Sequence, residues 1–246
     1  MARTDGLATK TTGIEGSPLA ASVEGLLLVD KPAGATSHDI VQLARRVYGE
    51  KSIGHLGTLD PFATGLLILL MGRSTRLATF ILTEPKVYLT TIRFGAETDS
   101  DDCTGSVIRQ SPPPPRGSIS DAISALTGDL MQVPPAYSAK SVDGVRAYDA
   151  ARRGEPLELA AARVMVHGWA IQDERDNEID VRITCGTGTY IRALARDLGR
   201  ATGSAAHLAA LRREQSGPFD VAHAATVEVL RTSPPPLRPL RVVTDA

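Results

Sequence analysis

Apolar and polar positions along this chain fall into short runs whose period changes from segment to segment. Residues 1–23 show no period, are rich in Thr, Gly, Ala and Ser, and read as a disordered tail. Gly25–Asp30 (Gly-Leu-Leu-Leu-Val-Asp) reads as a buried strand. Ile40, Ala44 and Val47 share one helical face, which predicts a helix from an N-cap at Ser37 through Val47, ended by Gly49. Leu66–Met71 is a second continuous apolar run and a second buried strand, followed by a helix from about Ser74 to Leu82. Lys86–Phe94 alternates as a long strand, with Val87, Leu89 and Thr91 on one face and Tyr88, Thr90 and Ile92 on the other.

Ser111–Pro115 is a proline-rich break, read as a loop inside one domain. A short helix is predicted over 118–126. Residues 131–156 hold Val-Pro-Pro-Ala-Tyr-Ser-Ala-Lys, a turn at Asp143-Gly144 and a short helix ending near Gly154, and read as an excursion from the core sheet. Strands at about 157–172 and 178–185 follow, joined by an acidic turn, then a helix over Tyr190–Ala201, a strand over His207–Gln215 and a short helix near Ala225. Pro234–Pro236 interrupt what reads as a short extended tail over 231–246. Strands and helices mixed without strict βαβ alternation predict an α+β fold with a mixed, largely antiparallel central sheet, flanking helices and one folded domain over 24–230.

Composition changes this picture little. The 246 residues are 42% hydrophobic and 22% charged, an ordinary globular balance. The longest apolar run is far short of the roughly 20 residues that span a bilayer, and no secretory signal is evident, so the expected setting is cytoplasmic with no membrane partner. Cys103 and Cys185 have no partner at zinc-ligand spacing and read as reduced thiols, so no metal is expected.

Charge matters more. The formal net charge of −1 excludes a uniformly basic coat, but the distribution is uneven. Asp99, Asp101 and Asp102 form one acidic stretch, and Asp173, Glu174, Asp176, Glu178 and Asp180 another. Arg182, Arg192, Arg196, Arg200, Arg212 and Arg213 crowd the segment after the second. The arrangement suits either a phosphate-binding face or a set of solvated surface arginines.

The densest chemistry lies at 54–65, Gly-His-Leu-Gly-Thr-Leu-Asp-Pro-Phe-Ala-Thr-Gly. Pro61 biases Asp60 toward extended backbone, and Gly54, Gly57 and Gly65 permit turns and close approach. Asp60 is then either a surface turn residue or a carboxylate held for chemistry by the strand that follows. Gly186-Thr-Gly-Thr before a helix frees N–H groups that suit an anion, and Arg192 in its first turn is placed to reach a buried carboxylate or solvent. Tyr88 is a core residue or a stacking platform for a base. His55 is a solvated loop residue or one that enters a nucleic acid. His38, His167, His207 and His223 have no nucleophile motif beside them, and His207 and Trp169 read as structural.

Taken in order, Gly25–Ser37, Gly54–Gly65, Lys86-Val-Tyr88, Val133–Lys140, Gly186–Arg192 and Leu211-Arg-Arg resemble the bacterial tRNA pseudouridine-55 synthase family, TruB, over roughly 24–219. The resemblance implies the pseudouridine-synthase fold, with 131–156 as a thumb-like insertion. It implies isomerisation of uridine 55 in the tRNA T loop, with Asp60 as the essential aspartate, Arg192 paired with it, and Tyr88 packed on the target base. It further implies that His55 enters the T loop and that Tyr190 and Leu211 line the uridine pocket. The partner is the T arm of tRNA, the chain acts as a monomer, and no cofactor is needed, because the reaction exchanges bonds without redox change. Lys140, Arg146 and the arginines of 182–213 become candidate phosphate contacts. An arginine beside Asp60 is expected to hold its carboxyl ionised. About thirty residues follow Pro218, too few for the C-terminal PUA domain that many members carry. A non-catalytic tRNA-folding protein, or a synthase with another RNA target, are the alternatives.

Overall fold

A computed structural model describes residues 23–115, 117–142 and 144–240. The tail expected over 1–23, apart from Val23, together with Asp143 of the expected turn and 241–246 of the expected C-terminal tail, lies outside the described residues. The elements are β1 (Gly25–Lys31), α1 (Ser37–Tyr48), β2 (Ile53–Leu56), β3 (Thr64–Met71), β4 (Lys86–Phe94), β5 (Ala96–Thr98), β6 (Val107–Gln110), α2 (Ser118–Ala125), β7 (Gly128–Gln132), β8 (Ser141–Val142), β9 (Val145–Arg146), α3 (Ala147–Arg152), β10 (Ala162–Glu174), β11 (Glu178–Cys185), α4 (Ile191–Ala201), β12 (Ala206–Ser216), β13 (Phe219–Asp220), β14 (Ala225–Thr226) and α5 (Val227–Thr232).

A ten-stranded sheet runs β14-β1-β3-β12-β4-β11-β10-β7, with β2 added to β3 and β13 to β12. Within it, among the described residues, only the β1–β14 and β3–β12 pairings are parallel. The expected mixed, largely antiparallel α+β architecture is therefore what the chain adopts. β1 and β3 read as unbroken apolar runs because both their faces are covered. Leu27, Val29, Leu67, Leu69 and Met71 pack under α1 and α5, while Leu26, Leu28, Leu66, Ile68 and Leu70 pack with Ile81 and Phe219. The third apolar cluster lies where α2 and α4 cover β4, β11 and β12.

Several boundaries differ from expectation. The cap of α1 is Thr36, whose Oγ1 accepts from Asp39 N at 3.0 Å while the Asp39 carboxylate accepts from Thr36 N at 2.9 Å. Ser37, expected there, is buried and serves the loop after β2 instead. The segment expected as a helix over 74–82 is a 3₁₀ helix, Gly72–Phe80. β10 begins at Ala162, opposite Gln132, because its partner β7 ends there. The helix expected near Ala225 starts at Val227, after a two-residue parallel bridge to β1. Beyond it the chain returns to the same edge, where Leu26 and Arg238 exchange backbone hydrogen bonds of 2.9 and 2.8 Å.

A single edge of β3 is shared by two strands, β12 at Thr64 and Gly65 and β2 from Ile68 to Met71. Between these pairings the edge forks. Leu66 O, which has no ladder partner on that side, accepts from Arg213 Nε at 2.8 Å. Arg213 Nη2 reaches across to Gly57 O at 2.9 Å, so a fully buried guanidinium joins the two arms.

Candidate active site

Asp60 sits on the loop that connects β2 to β3 across this fork. Gly57 and Gly65 bound the loop with φ of 71° and 101°. A Cβ on Gly65 would come within 2.3 Å of the Arg213 carbonyl oxygen, so the position admits glycine alone. Gly54 needs no such freedom: it lies within β2 and faces open space. The loop is pinned from below. Ser37 Oγ donates to Leu59 O at 3.1 Å and accepts from Leu59 N at 3.0 Å. The fully buried Lys31 donates through Nζ to Pro32 O at 2.9 Å, Ala35 O at 2.7 Å and Pro61 O at 3.3 Å. Burial lowers its pKa to about 8, with the negative charge of Asp60 opposing that shift.

Arg192, in the first turn of α4, meets Asp60. Its Nε lies 2.9 Å from Oδ2 and its Nη2 donates to Oδ1 at 3.2 Å. The side chains are unequally exposed, 6% for Arg192 and 34% for Asp60, so the guanidinium is sunk in protein and the carboxylate faces outward. Arg192 is not exclusive to Asp60. It also donates to Ser100 O at 2.9 Å and Tyr137 O at 2.8 Å, and lies 3.6 Å from Asp102. The net result departs from the expected depression. Burial raises the Asp60 pKa, Arg192 opposes this, and the nearby Asp102 charge adds to the rise.

Tyr88 lies close enough to Asp60 to feel its charge, and Tyr190 precedes α4 two residues before Arg192. Tyr88 belongs to the same buried apolar cluster as Leu59, Ala63 and Leu211. It lies opposite Arg213 on β12, and burial pushes its phenol above the ordinary range, which keeps it neutral. His55 is half-buried on β2; burial and the Arg213 charge push its imidazole down, and its Nδ1 is enclosed without a hydrogen-bond partner. Tyr190 is the N-cap of α4 and half-buried.

Two sequence readings are corrected. The arginines of 182–213 do not form a free phosphate-binding face. Arg192, Arg196 and Arg213 are buried. Arg182 pairs with Glu214 at 3.0 Å, Arg212 with Asp30 at 2.8 Å, and Arg200 with the buried Glu97. Arg196 holds Asp101 at 2.8 Å. Positions 192, 196 and 200 recur every four residues, so one face of α4 receives the acidic loop around Asp101 and Asp102. Lys140 and Arg146 remain exposed on the insertion. The Gly186–Thr189 turn likewise holds no vacant anion site at Thr187, whose N–H donates to Glu84 Oε1 at 2.6 Å. The structural reading of His207 and Trp169 matches the geometry: His207 Nδ1 is 2.8 Å from Ala96 O, and Trp169 Nε1 donates to Leu126 O at 3.2 Å.

Sequence alone does not single out Lys31 or Gln132, and it marks Asp102 and Arg213 only as members of charged runs and, for Arg213, of the Leu211-Arg-Arg motif. For Arg213 a signal existed, because strand alternation places it on the same face as Leu211. Among the described residues no helix is long and apolar enough to cross a membrane.

Residues 45–191 match the family described as "TruB family pseudouridylate synthase (N terminal domain)", and residues 192–233 match "tRNA pseudouridylate synthase B C-terminal domain". The chain belongs to the TruB family. It is 47% identical over 216 residues to the "tRNA pseudouridine synthase B" of Arthrobacter sp. (strain FB24), covering 85% of this chain and 71% of that family member. It is 41% identical over 225 residues to the protein of the same name from Bordetella avium (strain 197N), covering 90% and 91%. Among solved structures, the chain resembles one titled "Crystal Structure of a Cbf5-Nop10-Gar1 Complex" with a TM-score of 0.65 and 24% identity, over 84% of this chain and 54% of that one. This chain thus spans about half the length of that protein, and the likeness concerns the fold.

Proposed function

We propose that this TruB-family chain is a tRNA pseudouridine synthase that isomerises uridine 55 in the T loop. Residues 24–230 act as its catalytic domain and 131–156 as a thumb over the RNA. The observation that carries the reading is a part-exposed carboxylate gripped by a sunken guanidinium, on the loop between β2 and β3 where the sheet forks, with its charge felt by Tyr88. Its support also includes family membership and identity to proteins named for this activity over most of the chain.

In this reading the N1–C1′ bond breaks, the uracil turns, and C5 bonds to C1′; C5 loses a proton and N1 gains one. Charge deficiency at C1′ calls for an adjacent anion, which ionised Asp60 supplies. It does so by attacking C1′ or by assisting loss of the 2′ proton, and Arg192 favours its ionised form. The target base leaves the stack at a cost of a few kcal/mol, offset by contact with Tyr88 and by His55 filling the vacated space. Tyr190 and Leu211 wall the pocket. Lys140 and Arg146 meet the phosphates, and the chain works as a monomer in the cytoplasm without a cofactor.

Asp60→Asn is expected to lower single-turnover pseudouridine formation by about a thousandfold or more while leaving tRNA affinity within a few-fold in filter binding. Turnover near the wild-type rate in this variant removes Asp60 from the mechanism. Mapping pseudouridine in tRNA from cells with and without the gene tests the target position.

A further inference from the structure

Where the insertion leaves the sheet, three successive points of it are fastened to the first two turns of α4. Gln132, the last residue of β7, is fully buried and makes a reciprocal pair with Tyr190. Its Nε2 donates to Tyr190 O at 3.1 Å, and its Oε1 accepts from Tyr190 N at 2.9 Å. One residue on, Val133 O accepts from Arg196 Nη2 at 2.8 Å. Further out, Tyr137 O accepts at 2.8 Å from Arg192 Nη2, the same nitrogen that donates to Asp60 Oδ1.

The cap of α4 otherwise lacks support from its own sequence. Tyr190 is extended, at φ −97° and ψ 111°, and has no side-chain cap bond. An uncapped helix start leaves its first turn poorly fixed. Gln132, 58 residues away, instead fixes the residue at the cap position, through both its N–H and its carbonyl. The insertion beyond it has order of its own: the β8–β9 hairpin, a Tyr137–Tyr148 edge contact with ring centres 6.0 Å apart, and Arg152 placed 5.5 Å from the Tyr148 ring centre. A displacement of this insertion therefore pulls on the turn that holds Tyr190 and Arg192.

We propose that Gln132 is a positioning residue that fixes Tyr190 and the first turn of α4, so that docking of the insertion on RNA sets the Asp60–Arg192 geometry. The role rests on the proposed isomerisation. Its chemistry is that of a two-point amide clamp, for which a carboxylate is a half-substitute. Glutamate keeps the acceptor for Tyr190 N–H, but when ionised it sets negative charge against Tyr190 O; when protonated it restores the donor.

The test uses the full chain and transcribed tRNA carrying C5-tritiated uridine, with release of tritium read at saturating enzyme, together with KM for tRNA and the melting temperature. Gln132→Met is expected to lower kcat about thirtyfold with KM within about threefold, measured well below its melting temperature, since misplacement of reacting groups is costly in rate. Gln132→Glu is expected to be impaired at alkaline pH and to regain rate relative to wild type as the pH falls, as its carboxyl takes up a proton. A Gln132→Met kcat within fivefold of wild type overturns the role, as does a Gln132→Glu profile parallel to wild type. Should Gln132→Met not fold, the Gln132→Glu profile decides alone. Tritium release by wild type with unaffected variants removes this role and spares the reaction; no release by wild type removes both.

Discussion

Gly54 and Gly65 flank Asp60, and their conformations assign them opposite costs. At Gly65 an added methyl meets a backbone carbonyl, which cannot move without breaking the β3–β12 pairing, and the φ is left-handed as well. Gly65→Ala is expected to destabilise by roughly 3 kcal/mol or more, read by chemical denaturation. At Gly54 the space is open and the backbone ordinary, so Gly54→Ala should leave stability within about 1 kcal/mol of wild type. If RNA passes over this strand beside His55, the same methyl should raise KM for tRNA while kcat holds. Lys31 shows a different kind of constraint. Its ammonium bonds two carbonyls of the β1–α1 turn, Pro32 O and Ala35 O, and Pro61 O of the Asp60 loop, so it ties that loop to the turn.

Among elements, Arg213 of β12 ties the start of β3 to Gly57, the residue that follows β2. Arg213→Met keeps most of the volume but strips Leu66 O and Gly57 O of their donor, and buried carbonyls left unpaired are costly. A loss of about 2–5 kcal/mol is expected, read as a lowered denaturation midpoint with an unchanged m-value. The elements most legible in sequence were those whose period is reinforced by burial. β4 matched its expected bounds because alternate residues face the core. β3 was found because both its faces are covered, though it starts at Thr64, two residues before the apolar run over Leu66–Met71. β2, β5 and β7 escaped because they are short and their pairing comes from neighbours rather than from their own pattern. The site was legible in part. Asp60 stood out through Pro61 and the glycines, and Arg192 through its place after a glycine turn. The partners of the α4 arginines did not, since Asp101 and Arg196 lie 95 positions apart and an ion pair across that span leaves no local period.

For the whole molecule, a near-zero net charge conceals strong internal pairing, and one such pair reports on folding. Asp101 is 7% exposed, and burial raises its pKa to about 6 despite Arg196 beside it. The ordinary value is 3.8, so the folded chain holds this proton more tightly than the unfolded chain does. Stability from this group is complete below that ordinary value and is lost as the pH rises through about 6, amounting to roughly 3 kcal/mol. Asp101→Asn imitates the protonated acid. It should match wild type in denaturation at acid pH and become the more stable of the two at about pH 8, because desolvation outweighs attraction in the ionised pair. The fork has a mechanical consequence at this same scale. Elsewhere the sheet resists spreading through its ladders, but among the described residues β2 and β12 share no rungs with each other, and the gap between them is bridged by the Arg213 side chain. A guest that wedges itself there strains two contacts of Arg213, not a strand pairing, so compliance is concentrated where the carboxylate stands.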